Sequence, residues 1–166
     1  SLKSVNAISH FTDWTIAHVH IGGLGWNGFL TFGMLYWLVP KMWNTKLYSD
    51  KLANTHFWIG TLGILFYALP LYWAGFTQSS MWKEFTREGF LAYPNFLETV
   101  TQIIPMYFLR VVGGTLYLTG AIIMTYNLIK TMLKGSFVAN EEAQAPALAP
   151  AHQEHHGEHW HRPVER

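Results

Sequence analysis

Three stretches of this chain hold no charged residue: Trp14 to Pro40, Leu52 to Trp82 and Val111 to Ile129. None shows the polar face that a surface helix of a soluble domain turns toward water. A bilayer core about 30 Å thick is crossed by roughly 20 apolar residues in helical form. The pattern therefore predicts an all-α membrane protein with three transmembrane helices, at residues 14–40, 52–75 and 105–133. The competing reading is a soluble domain whose three helices are buried on every side, and 166 residues are too few to cover them. Around the spans lie an outer-side segment at 1–13, a cytoplasmic loop at 41–51, an outer loop at 76–104 and a tail at 134–166.

Prolines and glycines punctuate the spans. Pro40 is expected to stop the first, because it disfavours helix in the residue before it and lacks a backbone donor. Pro70 predicts a late kink or early end in the second. Pro105 suits the first turn of the third, whose pair Gly113 and Gly114 would let a neighbouring helix approach closely. Lysines set the orientation. Lys41, Lys46 and Lys51 face a single acid, Asp50, after the first span, and Lys130 and Lys134 close the third, so these ends are expected in the cytoplasm. The loop between the second and third spans is mixed in sign and rich in aromatics, among them Trp82, Phe85, Phe90, Tyr93 and Phe96, and belongs outside, partly on the interface.

Composition narrows the chemistry. Charged residues make up 13% of the chain, against about 25% in soluble domains. With no cysteine, disulfides, thiolate metal sites and covalent heme attachment are ruled out. A net charge of +1 gives nucleic-acid binding no support. The chain opens on Ser1 with no signal-peptide pattern, as expected of a piece of a longer protein. The tail, rich in Ala and Pro and then in His, cannot bury a core and is expected to be disordered. His-rich segments bind transition metals, but a solvated extension with weak adventitious affinity is the plainer reading.

The candidate chemistry sits at the start of the first span, in Thr15-Ile16-Ala17-His18-Val19-His20-Ile21-Gly22-Gly23. Histidines inside membranes are expensive and usually functional; interhelical hydrogen bonding is their ordinary alternative. Two helical positions two apart are rotated by about 200° and separated by about 3 Å along the axis. Such rings cannot easily chelate one metal ion, yet they could serve two iron centres flanking the same helix, which suggests two hemes side by side. Gly22, Gly23, Gly25 and Gly28 follow, making room either for flat macrocycles or for close helices.

The run Ser4 to Phe29 closely resembles the catalytic subunit of cbb3-type cytochrome c oxidases, the C family of heme-copper oxidases. The likeness continues through Tyr36-Trp37-Leu38-Val39-Pro40, Ala53-Asn54-Thr55-His56-Phe57-Trp58, Tyr72-Trp73-Ala74-Gly75-Phe76-Thr77-Gln78 and Tyr93-Pro94-Asn95-Phe96, and covers about Ser4 to Lys134. It implies that the three spans are the last three of a twelve-helix subunit. It also implies that His18 ligates the high-spin heme b3 and His20 the low-spin heme b. Family members reduce dioxygen to water with electrons from cytochrome c, delivered by mono-heme and di-heme cytochrome c subunits, and couple this to proton translocation across the bacterial cytoplasmic (inner) membrane. Copper ligands and most of the proton path lie on helices outside this chain, so the chain alone is not expected to be active. Its expected surroundings are those subunits, the remaining helices of its own subunit and lipid. A nitric oxide reductase-like subunit, or a noncatalytic heme-binding electron-relay anchor, is the alternative.

Six further positions are weaker candidates. His10 and Asp13 stand where heme propionates would emerge, or are polar residues at a helix start with Asp13 near an N-cap. Arg110 could pair with a propionate, but snorkelling to the interface explains it more simply. His56 reads as an interhelical hydrogen-bonding residue. Trp26 and Asn27 line a heme pocket or simply pack.

Overall fold

The computed structural model describes residues 2–138; the histidine-rich part of the tail lies outside them. Helix α1 (Lys3–Ser9) leads into α2 (Asp13–His20), a π-helical segment (Ile21–Gly28) and α3 (Phe29–Met42), the last three forming one uninterrupted helical run. A short corner joins this run to α4 (Asp50–Trp82), and a longer loop joins α4 to α5 (Phe96–Lys134). Among the described residues there is no strand, only an isolated bridge between Phe85 and Leu91. Two helices, α4 and α5, are each long and apolar enough to cross a membrane, while the first expected span is divided by its π-helical stretch.

Helix ends depart from the proline-based expectations. Pro40 does not stop α3, which runs on to Met42. Its missing donor costs one bond, but its carbonyl still accepts from Thr45 at 2.9 Å, while the Asn44 amide bonds to Lys41 at 3.1 Å. With Asn44 at φ 43, these two bonds form a Schellman ending, and Asn tolerates that left-handed conformation. Pro70 likewise lies inside α4, which continues to Trp82 because Leu71, Ala74, Gly75, Gln78 and Ser79 are all buried beyond it. Nor is Pro105 in the first turn of α5. Asn95 caps that helix by accepting from Leu97 at 3.1 Å, so it starts more than two turns earlier.

Small residues govern the α4–α5 crossing. A Cβ on Gly63 would stand 2.9 Å from the Gly113 carbonyl oxygen, and one on Gly113 would stand 2.6 Å from that of Gly63. The two backbones are therefore in direct contact, the arrangement that drives helix association where burial from water supplies no force. At the lysine-bearing end, fully buried Asn127 accepts from the Ser49 amide at 3.0 Å and donates to the Ser49 carbonyl at 2.8 Å. Thr131 accepts from the Tyr48 amide at 3.0 Å. Val39, Met124 and Leu128 form an apolar cluster beside this corner. At the opposite end, Lys83 donates to the Ala7 carbonyl and ties α1 to the close of α4.

Candidate functional site

The site begins where α2 meets α4. Thr12 caps α2, accepting from the Trp14 amide at 3.3 Å and donating to the Ser9 carbonyl at 2.6 Å. Asp13 is thus the first residue of the helix rather than its cap. It is buried, and it exchanges two bonds with Gln78: its amide donates to Oε1 at 2.7 Å and its Oδ2 accepts from Nε2 at 2.9 Å. The same Oδ2 accepts the Tyr107 hydroxyl at 2.8 Å, so one carboxylate joins α2, α4 and α5. Gly75 permits the contact, because a Cβ there would overlap the Trp14 backbone nitrogen and stand 2.6 Å from the Trp14 Cβ.

One turn after Asp13, Ala17 is fully buried and marks the side of α2 turned toward α4. At about 100° per residue, His18 is displaced about 100° to one side of Ala17, and His20 about 60° to the other. The two imidazoles therefore flank the helix. His18 is exposed and stacks on Trp14, with ring centroids 5.4 Å apart and planes inclined by 13°. Trp14 in turn rests edge-on against Tyr72 of α4. His20 is half-buried, 4.8 Å from the ring of Tyr67. Its Nδ1 lies 2.7 Å from the Ile16 carbonyl, which can only accept, so Nδ1 bears a proton and Nε2 is the nitrogen left for a ligating role. Fixing one ring nitrogen this way is how proteins orient a ligating imidazole. Among the described residues no three His, Asp or Glu side chains converge on one point.

Immediately after His20 the backbone widens into the π-helical segment, a geometry frequent at functional sites. A Cβ on Gly22 or Gly23 would meet nothing within 4 Å, leaving the helix surface beside the histidines open. The Leu24 carbonyl accepts the Tyr117 hydroxyl at 2.7 Å. Trp26 and Asn27 face outward on the same stretch.

The remaining candidates separate. His10 is exposed, with its ring 4.0 Å edge-on to Phe11, a residue held at φ 62. Arg110 is half-buried, its guanidinium 5.3 Å from the Tyr67 ring and 5.8 Å from that of Tyr107, between the residues that touch His20 and Asp13. His56 is buried near the opposite end, sharing a 3.2 Å hydrogen bond with Tyr36 and lying edge-on to Phe32. Gln78, Tyr107 and Tyr67 were not singled out from sequence. A glutamine within the uncharged stretch Leu52 to Trp82 was the available signal for the first, while two tyrosines among eight gave none.

Residues 1–116 match the family model described as cytochrome c and quinol oxidase polypeptide I. A cytochrome c oxidase subunit 1 homolog of Agrobacterium tumefaciens is 48% identical over 153 residues, 91% of this chain and 28% of that protein. Cytochrome c oxidase subunit 1 of Rhodobacter capsulatus is 50% identical over 148 residues, 89% of this chain and 28% of its own length. A cbb3-type cytochrome c oxidase subunit of Stutzerimonas stutzeri is 40% identical over 133 residues, 80% and 28% respectively. The chain thus spans 28% of the length of these relatives. With α4 and α5 each long and apolar enough to cross a membrane, these matches identify it as part of a multi-pass membrane protein. It belongs to the cytochrome c and quinol oxidase polypeptide I family.

Proposed function

We propose that this chain is the part of a cbb3-type oxidase catalytic subunit that supplies axial nitrogens to two b-type hemes. His18 serves the high-spin heme b3 and His20 the low-spin heme b. The observation that carries this reading is the pair of imidazoles flanking α2 on either side of buried Ala17, with His20 Nδ1 engaged by Ile16 and Nε2 left free. The donor set fits: neutral imidazole nitrogens, one exposed and one oriented by a carbonyl, beside glycines with open space around them. When bound, the two hemes supply one-electron transfer and, with a copper whose ligands lie outside this chain, the centre at which dioxygen is reduced.

This chain's own contribution is position. A single rigid helix holds both nitrogens, so the separation of the two centres is set by backbone geometry rather than by the packing of separate elements. The complete complex is read as a proton-translocating cytochrome c oxidase of the bacterial cytoplasmic membrane, fed by mono-heme and di-heme cytochrome c subunits. The helical run from Asp13 to Met42, with α4 and α5, forms the last three of its twelve helices, and the ends bearing Lys41, Lys46, Lys130 and Lys134 face the cytoplasm.

Carbon monoxide difference spectra of the intact complex test the assignment. His18→Ala is expected to abolish the gas response, and His20→Ala to remove the low-spin signal. Heme content and spectra unchanged in both variants would refute it. A gas response missing from the parent complex would instead indicate an electron-relay anchor with both hemes six-coordinate.

A further inference from the structure

We propose that Asp13, Gln78 and Tyr107 are positioning residues, a polar lock that fixes the rotation and depth of α2 and thereby the aim of His18 and His20. The proposal rests on the heme-ligand reading above. Apolar packing within the chain sets this rotation only loosely. It rests on Ala17 and on the Trp14 backbone over Gly75, while Ile16 and Val19 of the same helix are exposed in this chain. Between α3 and the histidines stands the π-helical segment with four glycines, residues of low helix propensity.

The Asp13 contacts add direction to that packing. Two bonds to Gln78 in opposite senses and a third from Tyr107 are directional, and they join one residue of α2 to both neighbouring helices. They act only about 7.5 Å along the axis from His18 and about 10.5 Å from His20. A ring nitrogen lies about 6 Å from its helix axis, so a rotation of about 20° carries it about 2 Å sideways. Ligand geometry tolerates about 0.5 Å. The lock therefore acts well above the precision the site requires. Arg110, lying over both Tyr67 and Tyr107, links the partner of the lock to the ring that touches His20.

Variants are made in the complete oxidase complex and read per heme, by low-spin electron paramagnetic resonance and by the rate of electron exchange between the hemes. Asp13→Ala is expected to shift and broaden the low-spin signal and slow the exchange several-fold. Asp13→Asn keeps an oxygen that accepts from both Gln78 and Tyr107, and is expected to restore the parent spectrum. Tyr107→Phe removes one bond while keeping the ring, and gives a smaller shift in the same direction. It decides the matter by the same criterion where Asp13→Ala yields no complex. Per-heme spectra and rates identical to the parent in Asp13→Ala and Tyr107→Phe would overturn the proposal, since a merely stabilising contact lowers the yield of complex and leaves the survivors unchanged. His20→Ala serves as control. Loss of its low-spin signal together with unaltered Asp13→Ala spectra refutes the lock alone, whereas persistence of that signal refutes the heme-ligand reading and the lock with it.

Discussion

Tyr117 and Gly28 compete for one volume: the hydroxyl that Tyr117 donates to the Leu24 carbonyl at 2.7 Å stands 2.5 Å from where a Cβ on Gly28 would lie. The next ring atom, Cζ, is 3.8 Å away, an ordinary contact. Gly28→Ala is therefore expected to destabilise through the hydroxyl alone. The clash costs about 1–3 kcal/mol, partly offset by the roughly 0.5–1 kcal/mol that alanine gains over glycine in a helix. Tyr117→Phe loses one hydrogen bond, about 0.5–1.5 kcal/mol. The double variant is expected near the parent in thermal unfolding, a strong departure from additivity.

Gly75→Ala meets backbone rather than a movable side chain, since the overlap is with the Trp14 nitrogen. No rotamer change relieves it, so α2 must lift away from α4 and lengthen the Asp13–Gln78 bonds. A loss of about 1–3 kcal/mol is expected, with a disturbed low-spin signal in the complex that survives. Thermal unfolding and paramagnetic resonance read the two effects separately.

Gly113→Ala brings a Cβ to 2.6 Å from the Gly63 carbonyl oxygen and into the Tyr67 backbone. The α4–α5 crossing must widen, and Tyr67 moves with it, away from the ring of His20. Faster unfolding in detergent is the expected result, larger than for Gly114→Ala, whose new Cβ would sit 3.8 Å from the Tyr67 ring.

Tyr36→Phe deprives buried His56 of its hydrogen bond. A stranded buried polar group costs about 1–3 kcal/mol. Thermal stability should fall by that order while both heme signals stay unchanged, because His56 packs among Phe32 and Tyr36 rather than beside α2.

Much of this arrangement was legible from sequence because its causes are local. Uncharged runs predict helices, and a spacing of two residues on a helix dictates that His18 and His20 diverge. Helix ends were less legible. Pro40 and Pro105 are strong punctuation, but the boundaries belong to Asn44 in its left-handed ending and to Asn95 at its cap. The glycines after His20 signalled open space, which Gly22 and Gly23 have, yet not the π-helical winding, which depends on bonds the sequence does not display. Hardest to foresee was the Asp13 lock, since Gln78 lies 65 residues away and Tyr107 lies 94. From its immediate neighbourhood Asp13 reads as a propionate contact or as a polar residue at a helix start, whereas its bonds to Gln78 and Tyr107 are supplied by tertiary contact.

The pairing of Asn127 with Ser49 carries a consequence for biogenesis. While the chain is being threaded into a bilayer, the corner before α4 emerges long before Asn127, the residue that accepts from its Ser49 amide and joins the Ala53 amide in donating to the Ser49 carbonyl. Until α5 arrives, the Ser49 amide must be solvated by water or headgroups at the membrane surface. The later helix thus acts as the clasp that closes the hairpin made earlier, and truncation ahead of Asn127 would leave it permanently ajar.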